Sequence, residues 1–253
     1  MRESGAAAVS GRIDLESLPS DGKLSRRAHS LRVVHALREA IVSGSMPDGA
    51  PLVEATIARA LGVSRGPVRT ALHELHAQGL VEITPTGRSS VVGFDHERLL
   101  DLLAVRWQLE SQAVRWGLER GHSLDDVFAA YAAIEAAEDT SGEVLAELDM
   151  IFHRAIVAFS GSRSLMSAWS ALAPVLTTVL VVANRRTQLS ASQLKVLVRD
   201  MHTPLIDGLV AGDAAELARL LQRQFENTDY LRQVRPDVAT LKPGLTSQAE
   251  LTS

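Results

Sequence analysis

Between Ser30 and Gly79 apolar residues recur at helical spacing in three short runs. Ser30 is placed to cap the first, whose positions Val33, Val34, Leu37 and Ile41 share one face. Gly44 and Met46–Pro47–Asp48–Gly49 end it in a turn. A second helix is expected from about Val53 to Leu61, closed by Gly62. Ser64 caps a third, which runs to about Gln78 and stops at Gly79. Pro67 is tolerated there, because a first-turn residue has no intrahelical N–H bond to lose. The period then changes. Leu80–Val81–Glu82–Ile83–Thr84 and Ser89–Ser90–Val91–Val92 are β-prone, and Pro85–Thr86–Gly87–Arg88 between them reads as a hairpin turn.

From Glu97 to Arg235 the helical period returns and no strand is evident. Six helices are expected, at 97–120, 124–139, 143–159, 164–187, 191–211 and 214–234. Gly121, Ser160–Gly161 and Gly212 mark breaks between them. Ser123–Leu124–Asp125–Asp126 and Asp213–Ala214–Ala215–Glu216 each pair a capping residue with an acid three positions on. Pro204 is expected to kink the fifth helix. The expected fold is mostly α: a winged helix-turn-helix of three helices plus a β-hairpin over 26–94, then an all-α bundle of about six helices over 95–235. Residues 1–25 read as a flexible arm and 236–253 as a disordered tail.

Composition narrows the chemistry. The 253 residues are 46% apolar and 22% charged, an ordinary globular balance with ample material for a core. The absence of cysteine excludes disulfides, thiolate zinc sites and cysteine nucleophiles, and agrees with a cytoplasmic location. No stretch approaches the ~18 continuous apolar residues of a membrane span, and Met1 to Lys23 holds no run like a signal peptide. No membrane partner is expected. Net charge is -4, divided as +2 over residues 1–94 and -6 over the remainder. A polyanion would therefore meet the N-terminal part.

That part carries a candidate DNA reader. In Gly62–Val63–Ser64–Arg65–Gly66–Pro67–Val68–Arg69, Gly62 permits the tight turn and Val63 can plug the core. Ser64 can cap the next helix and offer its hydroxyl to a phosphate. Arg65 and Arg69, four apart, leave one face of that helix, while Val68, Leu72 and Leu75 form a neighbouring apolar stripe. A helix held this way can enter a major groove with its N-terminal residues leading. Arginine there can pair with guanine or anchor a phosphate. Thr86 and Arg88 at the hairpin tip could reach the backbone or the adjoining minor groove.

This segment also resembles the GntR family's winged helix, through Leu37–Arg38–Glu39–Ala40–Ile41, Gly44, Gly49, Leu52 and Gly62 to Arg69 followed by Ala71–Leu72. Gly66 stands where the family usually has Thr, and Thr70 where it usually has Glu. The first departure removes a side chain close to DNA. The helical remainder resembles the FCD ligand-binding domain of the FadR-type subgroup, through Val105–Arg106–Trp107–Gln108–Leu109–Glu110, Asp149–Met150–Ile151–Phe152–His153 and His202. That resemblance implies a divalent metal held by one Asp and three His, beside a small carboxylate effector clamped by Arg106.

The residues themselves support part of this. Asp149 and His153 share a helix face beside Leu145 and Ile156, where a carboxylate and an imidazole need partners. His202 lies about ten residues before Gly212 and Gln224 about twelve after it, so antiparallel helices would bring them level. Gln224 stands where the family's third His is expected. The metal set is therefore Asp149, His153 and His202 with Gln224 as a weak fourth ligand, for zinc, nickel or manganese. A surface ion pair of Asp149 with His153, a core His202, and an Arg106–Glu110 salt bridge are the plain structural alternatives. Trp107, Trp116 and Trp169 read as packing or interface residues.

The reading that joins these features is a ligand-responsive, homodimeric transcription repressor, released from a pseudo-palindromic operator by a small organic acid. Its alternatives are a metal-dependent enzyme on a helical bundle and a module whose winged domain binds protein. No catalytic residues are assigned.

Overall fold

A computed structural model describes residues 26–138, 140–226 and 234. The expected arm and tail, and the end of the sixth bundle helix, lie outside the described residues. Nine helices and one two-stranded sheet make up the described part. The first three helices are α1 (Arg26–Val42), α2 (Glu54–Ala60) and α3 (Arg65–Ala77), followed by strands β1 (Val81–Ile83) and β2 (Ser89–Val91). The strands pair antiparallel with Val81 opposite Val91 and Ile83 opposite Ser89. Then come α4 (His96–Arg120), α5 (Asp125–Ala136), α6 (Gly142–Phe159), α7 (Arg163–Arg186), α8 (Ala191–Ala211) and α9 (Ala214–Glu226).

Local chemistry explains most boundaries. The side chains of Asp95, Ser141, Ser162 and Ser190 each accept a bond from a backbone N–H in the first turn that follows, and Ser190 with Gln193 completes a capping box. Gly121 and Gly212 end α4 and α8 at positive φ, 64° and 69°, where a Cβ would be strained.

Two expectations are corrected. Ser30 caps nothing: the chain is already helical at Arg26, and Ser30 is buried inside α1. Neither acid completes a box. Ser123 accepts from the Asp125 N–H at 3.1 Å, while Asp213 caps α9 but Glu216 turns forward to Arg219 and Arg223. Pro204 lies within continuous α8, and Pro174 likewise lies within continuous α7. The carbonyls that these prolines leave unpaired, of Ser170 and Asp200, belong to exposed residues.

Two apolar cores result. One runs from the winged part (Leu37, Ile41, Leu72, Leu75, Phe94) into α6 and α7 (Val157, Trp169, Val179). The other joins α4, α5, α6, α8 and α9 through residues such as Val114, Ile134, Phe152, Leu205 and Leu217. Among the described helices, α7 is long and apolar enough to cross a membrane by length and composition alone. Here its Trp169, Val175, Leu176 and Val179 pack into the first core.

Two sets of arginines tie the winged part to the bundle. Arg98, at the start of α4, donates to the carbonyls of Gly93 at 3.0 Å and Gly79 at 2.5 Å, so it grips the end of α3. At the end of α7, Arg185 bridges Glu143 of α6 and Glu39 of α1, and Arg186 donates to the Ser43 carbonyl at 3.0 Å.

Candidate nucleic-acid interface and metal centre

Gly62 takes φ +63° in the turn between α2 and α3, and the Val63 N–H bonds the Ala58 carbonyl at 3.0 Å. Ser64 is the N-cap residue of α3, yet its side chain makes no cap bond. Its hydroxyl is thus left for another acceptor or donor. Pro67, Val68, Ala71, Leu72 and Leu75 are buried and hold α3 in place. Ser64, Arg65, Gly66, Arg69 and Thr70 form the exposed side. Arg69 is bonded through Nε and Nη2 to the two oxygens of Glu54, at 2.8 and 3.0 Å. A Cβ placed on Gly66 would meet nothing within 4 Å, so the fold does not demand glycine there. The hairpin tip carries Thr86 and Arg88, both exposed, with Thr86 Oγ1 3.0 Å from Thr84 Oγ1.

The second cluster lies inside the bundle. Asp149 and His153 come from α6, His202 from α8, and Arg106 with Glu110 from α4. Glu110, His153 and His202 are each no more than 1% exposed and Asp149 only 6%, which removes the surface ion pair as an account of Asp149 and His153. His153 Nδ1 lies 2.8 Å from Glu110 Oε2, and His202 Nδ1 lies 2.5 Å from the Val198 carbonyl. A carbonyl only accepts, so His202 carries its proton on Nδ1. Burial raises the Glu110 carboxyl, but His153 and Arg106 outweigh it and hold it below its ordinary value, hence ionised. His153 therefore also donates from Nδ1.

These outer bonds leave both Nε2 atoms as lone pairs, facing one another at 3.0 Å. Asp149 Oδ1 joins them, 3.2 Å from His202 Nε2 and 3.9 Å from His153 Nε2. Asp149 Oδ2 is buried without a hydrogen bond, with Arg106 Nη2 3.7 Å away. Burial raises the Asp149 carboxyl, but His153, His202 and Arg106 together lower it well below the usual carboxylate range. Three acceptors thus converge with no proton between them when both rings are neutral. Metal bonds of ~2.1 Å put neighbouring ligands ~3.0–3.4 Å apart, and two of the three separations fall in that range. Asp149, His153 and His202 could hold a metal ion. A neutral ring is what burial favours: it lowers the His153 pKa, with Arg106 adding to the effect.

Gln224, on α9, reaches the neighbouring turn of α8. Its Nε2 donates to the carbonyl of Met201, the residue before His202, at 2.5 Å. Arg106 makes the salt bridge to Glu110 through Nε at 2.9 Å. Sequence reasoning treated Glu110 only as that partner and missed its hold on His153. The signal was present: Leu103, Glu110, Ala113, Val114 and Gly117 share one buried face of α4, and a carboxylate on such a face must be paired. Phe152 was also passed over; its ring packs edge-on against His202 and His153, at 4.6 and 5.4 Å between centroids.

Residues 29–92 match the model of the bacterial regulatory proteins of the gntR family, and residues 101–227 match the FCD domain. The chain belongs to the GntR family. It is a DNA-binding transcription regulator with an FCD domain, and not an enzyme. Among its relatives is the probable D-xylose utilization operon transcriptional repressor of Paenarthrobacter nicotinovorans, 32% identical over 75% of this chain and 84% of that one. The gluconate operon transcriptional repressor of Bacillus subtilis is 25% identical over 81% and 85%. Lar of Listeria monocytogenes shares the fold, with a TM-score of 0.60 at 17% identity over 85% of this chain and 98% of that one.

Proposed function

We propose that this GntR regulator is a cytoplasmic homodimeric repressor whose winged parts, residues 26–94, grip a pseudo-palindromic operator. The bundle, residues 95–235, would bind a divalent metal and release DNA when a small organic acid binds. Repression follows the names of both relatives. Ser64, Arg65, Gly66 and Arg69 would face the major groove, with Thr86 and Arg88 on the backbone or minor groove.

The observation that carries the effector reading is the charge of the buried cluster. In the state with both rings unprotonated, Arg106 contributes one positive charge and Glu110 and Asp149 two negative. The cluster therefore lacks one positive charge. A divalent ion overshoots by one, and an anionic ligand on the ion restores balance, which buried charges require. When bound, the metal supplies an electrophilic anchor for a carboxylate. Asp149, His153 and His202 would hold it, Glu110 would orient His153, and Arg106, 3.7 Å from Asp149 Oδ2, would clamp the acid. Gln224 contributes at most a weak fourth ligand.

Arg98 and the Arg185–Arg186 pair give this binding a route to DNA. Arg98 shares α4 with Arg106 and Glu110 while gripping the end of α3. A ligand that prefers one position of α4 or α7 would shift the freedom of the reading heads. The test is elemental analysis of purified full-length protein, followed by operator gel shifts with zinc, manganese or nickel and a panel of organic acids. Acid-dependent release that needs metal is expected. Release by no acid, from metal-loaded protein that binds operator, would overturn the effector reading.

A further inference from the structure

Beside Asp149 a pocket opens between α6, α7 and α8. Its cavity volume is about 20 Å³, far below the ~300–1,000 Å³ usual for small-molecule sites. That is room for roughly one water. The wall is Leu145, Leu180, Leu194, Leu197, Val198 and Met201, with Ala146. Two polar side chains interrupt it. Asp149 belongs to the candidate metal centre, and Asn184 already donates its Nδ2 to the Gly142 carbonyl at 2.6 Å.

We infer that the effector is a short carboxylic acid with a hydrocarbon tail, its carboxylate at the Asp149–His153–His202 centre and its tail in this pocket. The inference rests on the proposed acid-binding role of the centre and adds the ligand class. A polyhydroxylated acid brings a donor and acceptor on nearly every carbon. This wall answers with at most the Asn184 amide oxygen and the unbonded Asp149 Oδ2, so the remaining hydroxyls would be stripped of water without replacement. A hydrocarbon tail loses nothing on the same transfer and gains contact with the wall. The enclosed space is smaller than such a tail, so Met201 and Leu180 must give way. Met201 is suited to this, being unbranched and flexible. Leu180 lies little more than a helical turn before Arg185 and Arg186, which hold the winged part, so making room for a tail acts on the segment that carries the latch.

The experiment compares hexanoate with gluconate, two six-carbon monocarboxylates that differ in the tail. Each is titrated by calorimetry into full-length protein, both zinc-loaded and metal-free. Hexanoate is expected to bind at least about tenfold tighter than gluconate, the factor that even one unpaired buried hydroxyl supplies. Leu197→Gln, a substitution at a half-buried position, should narrow that ratio by giving a hydroxyl a partner. Gluconate binding as tightly as hexanoate overturns the tail assignment and leaves the acid-binding centre standing. Binding of neither acid, by protein that takes up zinc and binds operator, overturns the acid-binding reading and this inference with it.

Discussion

Arg69 and Glu54 are joined side by side by two parallel hydrogen bonds across the turn between α2 and α3. The Arg69 side chain is nevertheless 65% exposed. The pair aims the guanidinium and cancels its charge, while leaving N–H groups free on the outer edge. If Arg69 reads a base, Glu54 is its positioning residue. Glu54→Ala should then raise affinity for random DNA, because a freed cation can settle on any phosphate. The slope of log K against log salt should steepen by about 0.9, the value for one added phosphate contact. Discrimination between operator and mutated operator should fall. Gel-shift titrations over a salt series check this; an unchanged slope with unchanged discrimination would rule out the positioning role.

Among the described residues no hydrogen bond or salt bridge holds Arg65, which stands exposed on the leading turn of α3. Arg65→Ala and Arg69→Ala should each weaken operator binding by ~1–3 kcal/mol where a base contact is lost. Thermal unfolding should move little, since both side chains lie outside the core. Operator affinity equal to wild type at fixed salt in both variants would remove α3 as the reading helix.

Gly66 separates folding from reading. An added Cβ finds open space, so Gly66→Ala should keep the fold and stabilise α3 by up to about 1 kcal/mol, the cost of glycine in a helix. Its effect on operator preference should be larger than its effect on stability. A selection of binding sites from random duplexes with both proteins would show the altered preference.

What the sequence could show depended on range. The winged part follows from local signals: turn glycines, a proline in a first turn, and alternation in the hairpin placed α2, α3, β1 and β2 within a few residues. The bundle helices were legible for the same reason. Asp149 and His153 were visible as a pair because four residues is one helical turn. Glu110 meeting His153 was not, since they are 43 positions apart and only packing brings α4 against α6. Ser30 misled because a serine followed by an apolar stripe looks like a cap wherever the helix begins. The arginine latches were invisible, as an exposed-looking Arg98, Arg185 or Arg186 carries no periodic signal.

The metal prediction turns on position 224. Gln224 reaches Met201, next to His202, so an imidazole at this position would stand in the neighbourhood of the centre. Gln224→His should tighten metal binding, and His153→Ala should weaken it strongly and lower the melting temperature if metal binds only the folded state. Acid should act in the same direction. Burial, then Arg106, holds the His153 pKa below its ordinary value, so its stabilising contribution is intact above about pH 6.5, where the unfolded ring is neutral too. It is lost as pH falls below that value toward the folded pKa, and metal, which needs the neutral ring, should leave over the same window. Calorimetric zinc titration of the three proteins at several pH values decides it. No zinc uptake by wild type with none gained in Gln224→His would dismiss the centre.

The coupling prediction uses two arginines eight positions apart on α4. Arg106 sits at the buried cluster, bonded to Glu110 and near Asp149, and Arg98 grips the carbonyls that end α3. Arg106→Ala should bind operator as wild type does, because nothing on α3 changes, but should fail to release it with acid. It should also leave Glu110 and Asp149 short of a counter-charge, so Arg106→Lys is the better-folded comparison: it keeps the charge and loses the two-pronged geometry. Arg98→Met should behave differently. It keeps a side chain of similar length and removes the bonds to Gly79 and Gly93, so acid binding should persist while release weakens. Measuring acid affinity by calorimetry and operator release by gel shift on the same preparations separates the two roles. Full release by Arg98→Met at the wild-type acid concentration would mean that the signal leaves the bundle by α7 and the Arg185–Glu39 contact, and Arg185→Ala would then be the variant that loses it.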